Sequence, residues 1–387
     1  MKPLRIIWIL AVAFFLNACS KKQEEVAPQF LVESTTIGEV RKADIAQRLQ
    51  GIPIANTLVN FDVQVVRIVY RTKDPDGQEV KASGALLFPL NPNRPLPLLS
   101  HQHGTITNDN QAPSNYTNQS EAWSIGTALA SAGYVVSAPD YLGFGVSRNI
   151  PHPYEHAKNT AQVCLDMLRA VKEYCRLNNI QLNGKLFLTG YSQGGNATMA
   201  LHRKIEEEAS NEFRVTASAP GGGAYHKTGF ADFLANTNDN LPGMNLYLWA
   251  LESYNRIYRI NRPWSAILAP PWATIVQTGG VSAPVSTNPR QLFLPSFLEG
   301  IRNRSDAAFI NAFRDNDTHD WRPQAPVRMY HGTADNIVHP FHARDALNAM
   351  RRQGATNVEL IEIQGGDHLS SIQQYALGMY FFFATLQ

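Results

Sequence analysis

Two kinds of apolar patterning alternate along this chain. Residues 63–70 and 80–89 are apolar and rich in β-branched side chains, and they flank the turn sequence Asp74-Pro75-Asp76-Gly77. That arrangement predicts a hairpin. Leu96-Pro97-Leu98-Leu99-Ser100 predicts a third strand, followed by a helix around residues 121–132 and a strand at 134–138. A long helical run covers about 157–177, and strands at 186–189 and 213–219 bracket the helix-compatible stretch that begins at Asn196. After residue 321 the alternation resumes with apolar strands at 327–330 and 358–362 and a terminal helix. Strands alternating with helices in this way specify a mostly parallel, eight-stranded-type sheet covered by helices on both faces. Between 221 and 321 the rhythm breaks into glycine and proline punctuation, with Trp249, Trp264 and Trp272 and the apolar run 293–298. This interval predicts a mainly helical cap inserted between the sixth and seventh strands, with its aromatics as ordinary core.

One turn carries chemistry. Gly190-Tyr191-Ser192-Gln193-Gly194-Gly195 stands between the strand at 186–189 and the helix after it. A Gly-x-Ser-x-Gly in that context is a nucleophile elbow. The turn is tight enough to strain the serine backbone, and the flanking glycines supply room that a Cβ would fill. The hydroxyl then stands at a helix N-terminus, where backbone amides favour a developing oxyanion. The motif alone recurs by chance; its strand–turn–helix setting and the residues downstream make it specific.

A serine nucleophile needs a base to take its proton and a carboxylate to orient that base. Asp335 follows the strand 327–330 through the turn Gly332-Thr333-Ala334, and His368 follows 358–362 in Gln364-Gly365-Gly366-Asp367-His368. Ser192, Asp335 and His368 thus fall in the order this architecture requires, each at the carboxyl end of a strand. Asp367 is a poor orienter, because adjacent residues rarely reach each other's ring nitrogen. His339 and His342 begin a helix on the wrong side to act as base. The oxyanion would be held by the amide of Gln193 and by that of Gly104 or Thr105, in the loop after the third strand. His101 and His103 alternate as metal ligands can, but no carboxylate partners are evident in sequence, so no metal or organic cofactor is expected.

The N-terminus carries a different signal. Lys2 and Arg5 precede an apolar run over 6–16 that closes on Leu16-Asn17-Ala18-Cys19. A basic start, a short apolar stretch and small residues make a signal peptide over 1–18, too short to span a bilayer. The junction resembles the lipobox of bacterial lipoproteins. That resemblance implies acylation of Cys19 and a firm anchor to the cell envelope outside the cytoplasm. Residues 19–45 then read as tether and N-terminal extension, with a core over 46–220 and 322–387 and the cap over 221–321. Cys164 and Cys175 lie eleven positions apart on one predicted helix, roughly 16 Å by helical rise, too far to bridge. A formal net charge of +2 without a basic cluster gives no footprint for nucleic acid.

Ala138-Pro139-Asp140-Tyr141-Leu142-Gly143-Phe144-Gly145, the elbow, and His331-Gly332-Thr333-Ala334-Asp335 together resemble the capped secretory-lipase branch of the α/β-hydrolases. The likeness runs from about Phe61 to the end. It implies Ser192 as nucleophile, Asp335 as acid and His368 as base, with carboxyl esters of lipids or other acylated alcohols as substrates. The sequence stops soon after the histidine's helix, without the C-terminal flap of some such lipases; this bears on triacylglycerol specificity more than on ester hydrolysis. Two alternatives share the sequence features. A serine peptidase of the prolyl-oligopeptidase type has the same triad order, but no propeller repeat precedes Phe61. A surface-anchored binding protein on a hydrolase scaffold would have no use for an intact triad.

Overall fold

A computed structural model describes residues 27–52 and 55–387. The signal peptide over 1–18 and Cys19 lie outside the described residues. Nine strands form one sheet in the order β1-β2-β3-β5-β4-β6-β7-β8-β9. They are β1 Leu31–Val40, β2 Val63–Lys73, β3 Glu79–Pro89, β4 Leu96–Gln102, β5 Val135–Pro139, β6 Leu182–Tyr191, β7 Val215–Gly221, β8 Val327–Gly332 and β9 Val358–Ile363. From β5 to β9 every neighbouring pair is parallel, while β1, β2, β3 and β5 pair antiparallel. The central strands β4 and β5 are buried at every position, because helices cover both faces.

The strand β1 departs from the sequence reading, which placed residues 19–45 in a tether and extension. Its sequence, Leu-Val-Glu-Ser-Thr-Thr-Ile-Gly-Glu-Val, is largely exposed and hides its period. It is ordered by pairing with β2 along its length. Its start is held by Glu173, whose carboxylate accepts the amides of Gln29, Phe30 and Leu31 at 2.8, 3.0 and 2.7 Å. With this strand counted, the insertion falls between β7 and β8.

The helix Ala157–Leu177 packs one apolar face on the sheet, and Cys164 and Cys175 lie there as buried free thiols. The helix expected over 121–132 forms in two parts, a π-type turn over Ala122–Gly126 and then Thr127–Ser131. Between β7 and β8 the main helices are Lys227–Asn236, Met244–Ile257, Trp272–Gly279, Pro295–Arg302 and Ala307–Asp315. They bury a cluster of their own around Leu248, Phe293 and Phe309, against which Trp264 and Trp272 pack half-buried. Among the described residues no helix is long and apolar enough to cross a membrane.

Candidate active site

Ser192 sits between β6 and the helix Gln193–Glu208 with φ 60° and ψ −121°, a backbone that L-residues avoid. The sequence around it makes this conformation possible. A Cβ on Gly190 would lie 2.4 Å from the Gln102 carbonyl oxygen, and one on Gly194 only 2.0 Å from the same atom. The elbow is thus pressed against β4 so closely that only glycine fits on either side. The Ser192 amide donates to the Gly221 carbonyl at 2.9 Å, which ties the turn to β7.

The structure brings Ser192, His368 and Asp335 together from three separate loops. His368 Nε2 lies 2.9 Å from Ser192 Oγ, and His368 Nδ1 lies 2.7 Å from Asp335 Oδ2. Asp335 Oδ1 accepts the amides of Ile337 and Val338 at 3.0 and 2.8 Å. Burial alone would raise its carboxyl; hydrogen bonds from His331 and His368 outweigh burial and hold it well below the ordinary carboxylate range. An ionised Asp335 fixes the ring with its proton on Nδ1 and leaves Nε2 as acceptor for the serine. The His368 backbone is held as well, since the Tyr191 hydroxyl donates to its carbonyl at 2.8 Å. Asp367 points elsewhere: it is exposed and accepts the amides of Leu369 and Ser370 in its own turn.

The three amides considered for the oxyanion position differ in what they already bind. Gln193 is the first helical residue, so its amide has no helical acceptor. Its side chain is fixed by His152, whose ring burial drives down to a pKa of about 3. The neutral ring donates from Nδ1 to the Leu142 carbonyl and accepts at Nε2 from the Gln193 amide group at 2.9 Å. Gly104 approaches Ser192 but its amide already donates to Glu121 Oε1 at 2.9 Å, which removes it as a donor. Among the described residues the Thr105 amide has no acceptor, and the Thr105 hydroxyl is held 2.8 Å from that of Tyr154.

Glu121 is a residue that sequence reasoning missed. Its second oxygen lies 2.9 Å from His101 Nε2, so the carboxylate absent from the sequence reading of the histidine pair does exist, supplied by the π-type turn. It serves there as a hydrogen-bond partner that locks the loop. His103 points its Nε2 at the Asp140 carbonyl, 3.1 Å away, and its own carbonyl accepts the Tyr141 hydroxyl at 3.0 Å. Asp140 is buried, with its carboxylate on the Ser83 hydroxyl and the Ser114 amide, and burial raises its carboxyl. The Asp140-Tyr141 sequence signature is therefore the strut beneath the loop that carries Thr105.

An apolar cavity runs from Ser192 into the helical insertion. Core residues Ile337 and Val338 form one wall; Phe230, Leu246, Ala250 and Phe297 of the insertion form the other. Two charged residues also line it. Glu155 and Lys227 pair at 2.5 Å, both side chains under a tenth exposed, and Asn196 donates to the same Glu155 oxygen at 2.8 Å. His342, which sequence reasoning set aside as a base, lines the cavity away from the Ser192–His368 contact. His339 packs in the aromatic group of Phe230, Phe233 and Phe341.

An elbow between β6 and its helix, with a histidine and an aspartate at the ends of the last two strands, defines a hydrolase of the α/β class. The chain belongs to the alpha/beta hydrolase family, whose sequence pattern matches residues 103–376. No curated protein matches it in sequence. Among solved structures it is similar to a putative hydrolase from Legionella pneumophila, with 26% identity over 92% of this chain and 98% of that one and a TM-score of 0.82. It is similar at the same identity to the rice cell wall degrading esterase LipA from Xanthomonas oryzae, over 92% of this chain and 97% of the other, with a TM-score of 0.80. Candida antarctica lipase A in its closed state shares the fold at 17% identity, covering 90% of this chain and 82% of that chain with a TM-score of 0.63.

Proposed function

We propose that this protein is a serine carboxyl-ester hydrolase whose helical insertion caps the site. The observation that carries the reading is the continuous relay from Asp335 through His368 to Ser192, at 2.7 and 2.9 Å, at the mouth of an apolar cavity. His368 takes the Ser192 proton as the hydroxyl attacks the ester carbonyl. The tetrahedral oxyanion is held by the amides of Gln193 and Thr105, each worth about 3–4 kcal/mol. His368 then gives its proton to the departing alcohol, and water releases the acyl group from Ser192 by the reverse sequence. Nothing in this cycle needs a metal or an organic cofactor. The acyl chain lies in the apolar cavity; the alcohol faces the outer side of the cap.

The kinship to an esterase at 26% identity supports ester over peptide substrates, as does a cavity walled by aliphatic and aromatic side chains rather than by groups that would pair with a peptide backbone. We place the mature protein on the envelope of a bacterium, outside the cytoplasm, anchored by acylated Cys19 in the manner of the secretory-lipase lipoproteins; globomycin-sensitive processing with palmitate incorporation that Cys19→Ala abolishes tests that placement. The enzymatic reading is tested with p-nitrophenyl esters from acetate to palmitate. The wild type is expected to hydrolyse them, with Ser192→Ala lowering kcat by about 10⁴- to 10⁶-fold. Wild-type protein inert on every ester but active on a prolyl peptide would replace this reading with the peptidase; no labelling of Ser192 by a fluorophosphonate would replace it with a binding protein.

A further inference from the structure

The cap leaves the core just after β7 and returns just before β8, and its two ends meet at a cluster that the ester chemistry does not use. His226 stands at the outgoing end; Asp317 and His319 stand at the returning end, and the ligand atoms of all three lie within 4.8 Å of one another. The rings of His226 and His319 stack with centroids 4.0 Å apart. A fourth residue comes from the core: Asp345, on the helix Phe341–Arg352, places Oδ2 2.7 Å from His226 Nδ1. Asp317 is oriented in turn by Thr228, whose amide and hydroxyl donate to its two oxygens at 3.1 and 2.5 Å.

One nitrogen in this cluster lacks what burial demands. His319 Nδ1 is shielded from solvent and has no hydrogen-bond partner, and among the described residues nothing pairs with the ring's other nitrogen either. A buried polar atom left unsatisfied is costly, so its persistence calls for a partner. We propose that His226, His319 and Asp317 bind a zinc ion that pins the two ends of the cap together and onto the core.

Two imidazoles and a carboxylate are a donor set that zinc takes, with a fourth position left for water. Magnesium and calcium prefer all-oxygen sites. Asp345 behind His226 fits the arrangement in which a carboxylate fixes a liganding histidine's tautomer and raises its basicity. In a tetrahedral zinc site the ligand atoms stand roughly 3.4 Å apart, so the three must draw inward. His319, held by no hydrogen bond, is the ring free to do so. The ion would touch the substrate cavity only indirectly, since the His226 amide donates to Nδ1 of His342 in the cavity wall at 3.1 Å. The expectation of no metal, drawn from the sequence, considered His101 and His103. These ligands were invisible there because Asp317 follows His226 by 91 residues.

The experiment uses untagged, chelator-stripped protein titrated with zinc chloride by calorimetry, with magnesium chloride as control, and cobalt(II) chloride as spectroscopic probe. One zinc per chain is expected, no magnesium, a visible tetrahedral cobalt band, and a melting temperature that rises with zinc. His319→Ala and His226→Ala should each abolish the cobalt band and weaken zinc at least about 100-fold, and Asp345→Asn should weaken it about 10- to 100-fold while keeping the stoichiometry. Circular dichroism checks that the variants fold; were the alanine variants unfolded, Asp345→Asn and His319→Gln would decide. Absence of stoichiometric zinc binding in the wild type overturns the proposal, as does unchanged affinity in folded His319 variants. Neither result touches the ester reading, which stands on Ser192.

Discussion

At the scale of single residues, the most constrained atoms surround Ser192. Its φ of 60° persists because β4 presses on both flanking glycines, and a methyl group on either would meet the Gln102 carbonyl inside 2.5 Å. Those glycines were legible in the sequence because the elbow is local, spelled within six residues. Glu121 was not, since it reaches Gly104 from a π-type turn that no periodicity announces. Asp335 offers a sharp test. Asp335→Asn should lower kcat by about 10⁴-fold by stabilising the wrong histidine tautomer. Its carboxyl titrates lower in the folded protein than in the unfolded one. Its ionised form therefore stabilises the fold above about pH 4, and this contribution fades as pH falls below that. Urea unfolding at a series of pH values is expected to show the stability gap between wild type and Asp335→Asn narrowing on the acid side.

At the scale of elements, the two strands that were hardest and easiest to read show what patterning encodes. β5 is buried at every position and its run is apolar apart from Ser137; a run of that kind has few other places to go. β1 is an edge strand with mostly exposed side chains, so its polar sequence carries no alternation and only pairing with β2 reveals it. The cap helix Met244–Ile257 shows the same division. Its amphipathic spacing marks a helix, yet which face meets Ser192 depends on how the cap lies on the core. Leu248 is buried in the insertion's own apolar cluster while Ala250 faces the cavity. Filling that space with Ala250→Phe is expected to shift the preferred p-nitrophenyl ester toward shorter acyl chains, raising KM for palmitate at least about tenfold with acetate little changed, as a pocket that loses room for several methylenes must. An unchanged chain-length profile would place the acyl group elsewhere.

At the scale of the whole molecule, the helical insertion and the core are joined by an ion pair buried between them. Glu155 precedes the core helix Ala157–Leu177, and Lys227 opens the first helix of the cap. Burial raises the Glu155 carboxyl, with Lys227 and Asn196 opposing that rise. Lys227→Met would leave a buried carboxylate without its cation and should cost about 3–5 kcal/mol. Replacing both partners, with Glu155→Gln added, should recover much of the loss, as thermal melts of the three variants would show. An equal loss in the single and double variants would mean that the lysine stem, and not its charge, carries the contact.

The sequence alone determined what local pattern encodes: strands alternating with helices, a glycine-flanked serine between two of them, and an aspartate and a histidine each placed after a later strand. Those features are legible because each depends on a few neighbouring residues and on the order in which the strands follow. Tertiary structure alone decided which amides are free near Ser192, because Gly104 loses its donor to a carboxylate seventeen residues away. It also decided that an exposed polar stretch is the first strand of the sheet, and that Glu155 meets Lys227 and His226 meets His319 across the cap's root. Such contacts join residues tens of positions apart, and no periodicity or motif records a pairing that exists only once the chain has folded.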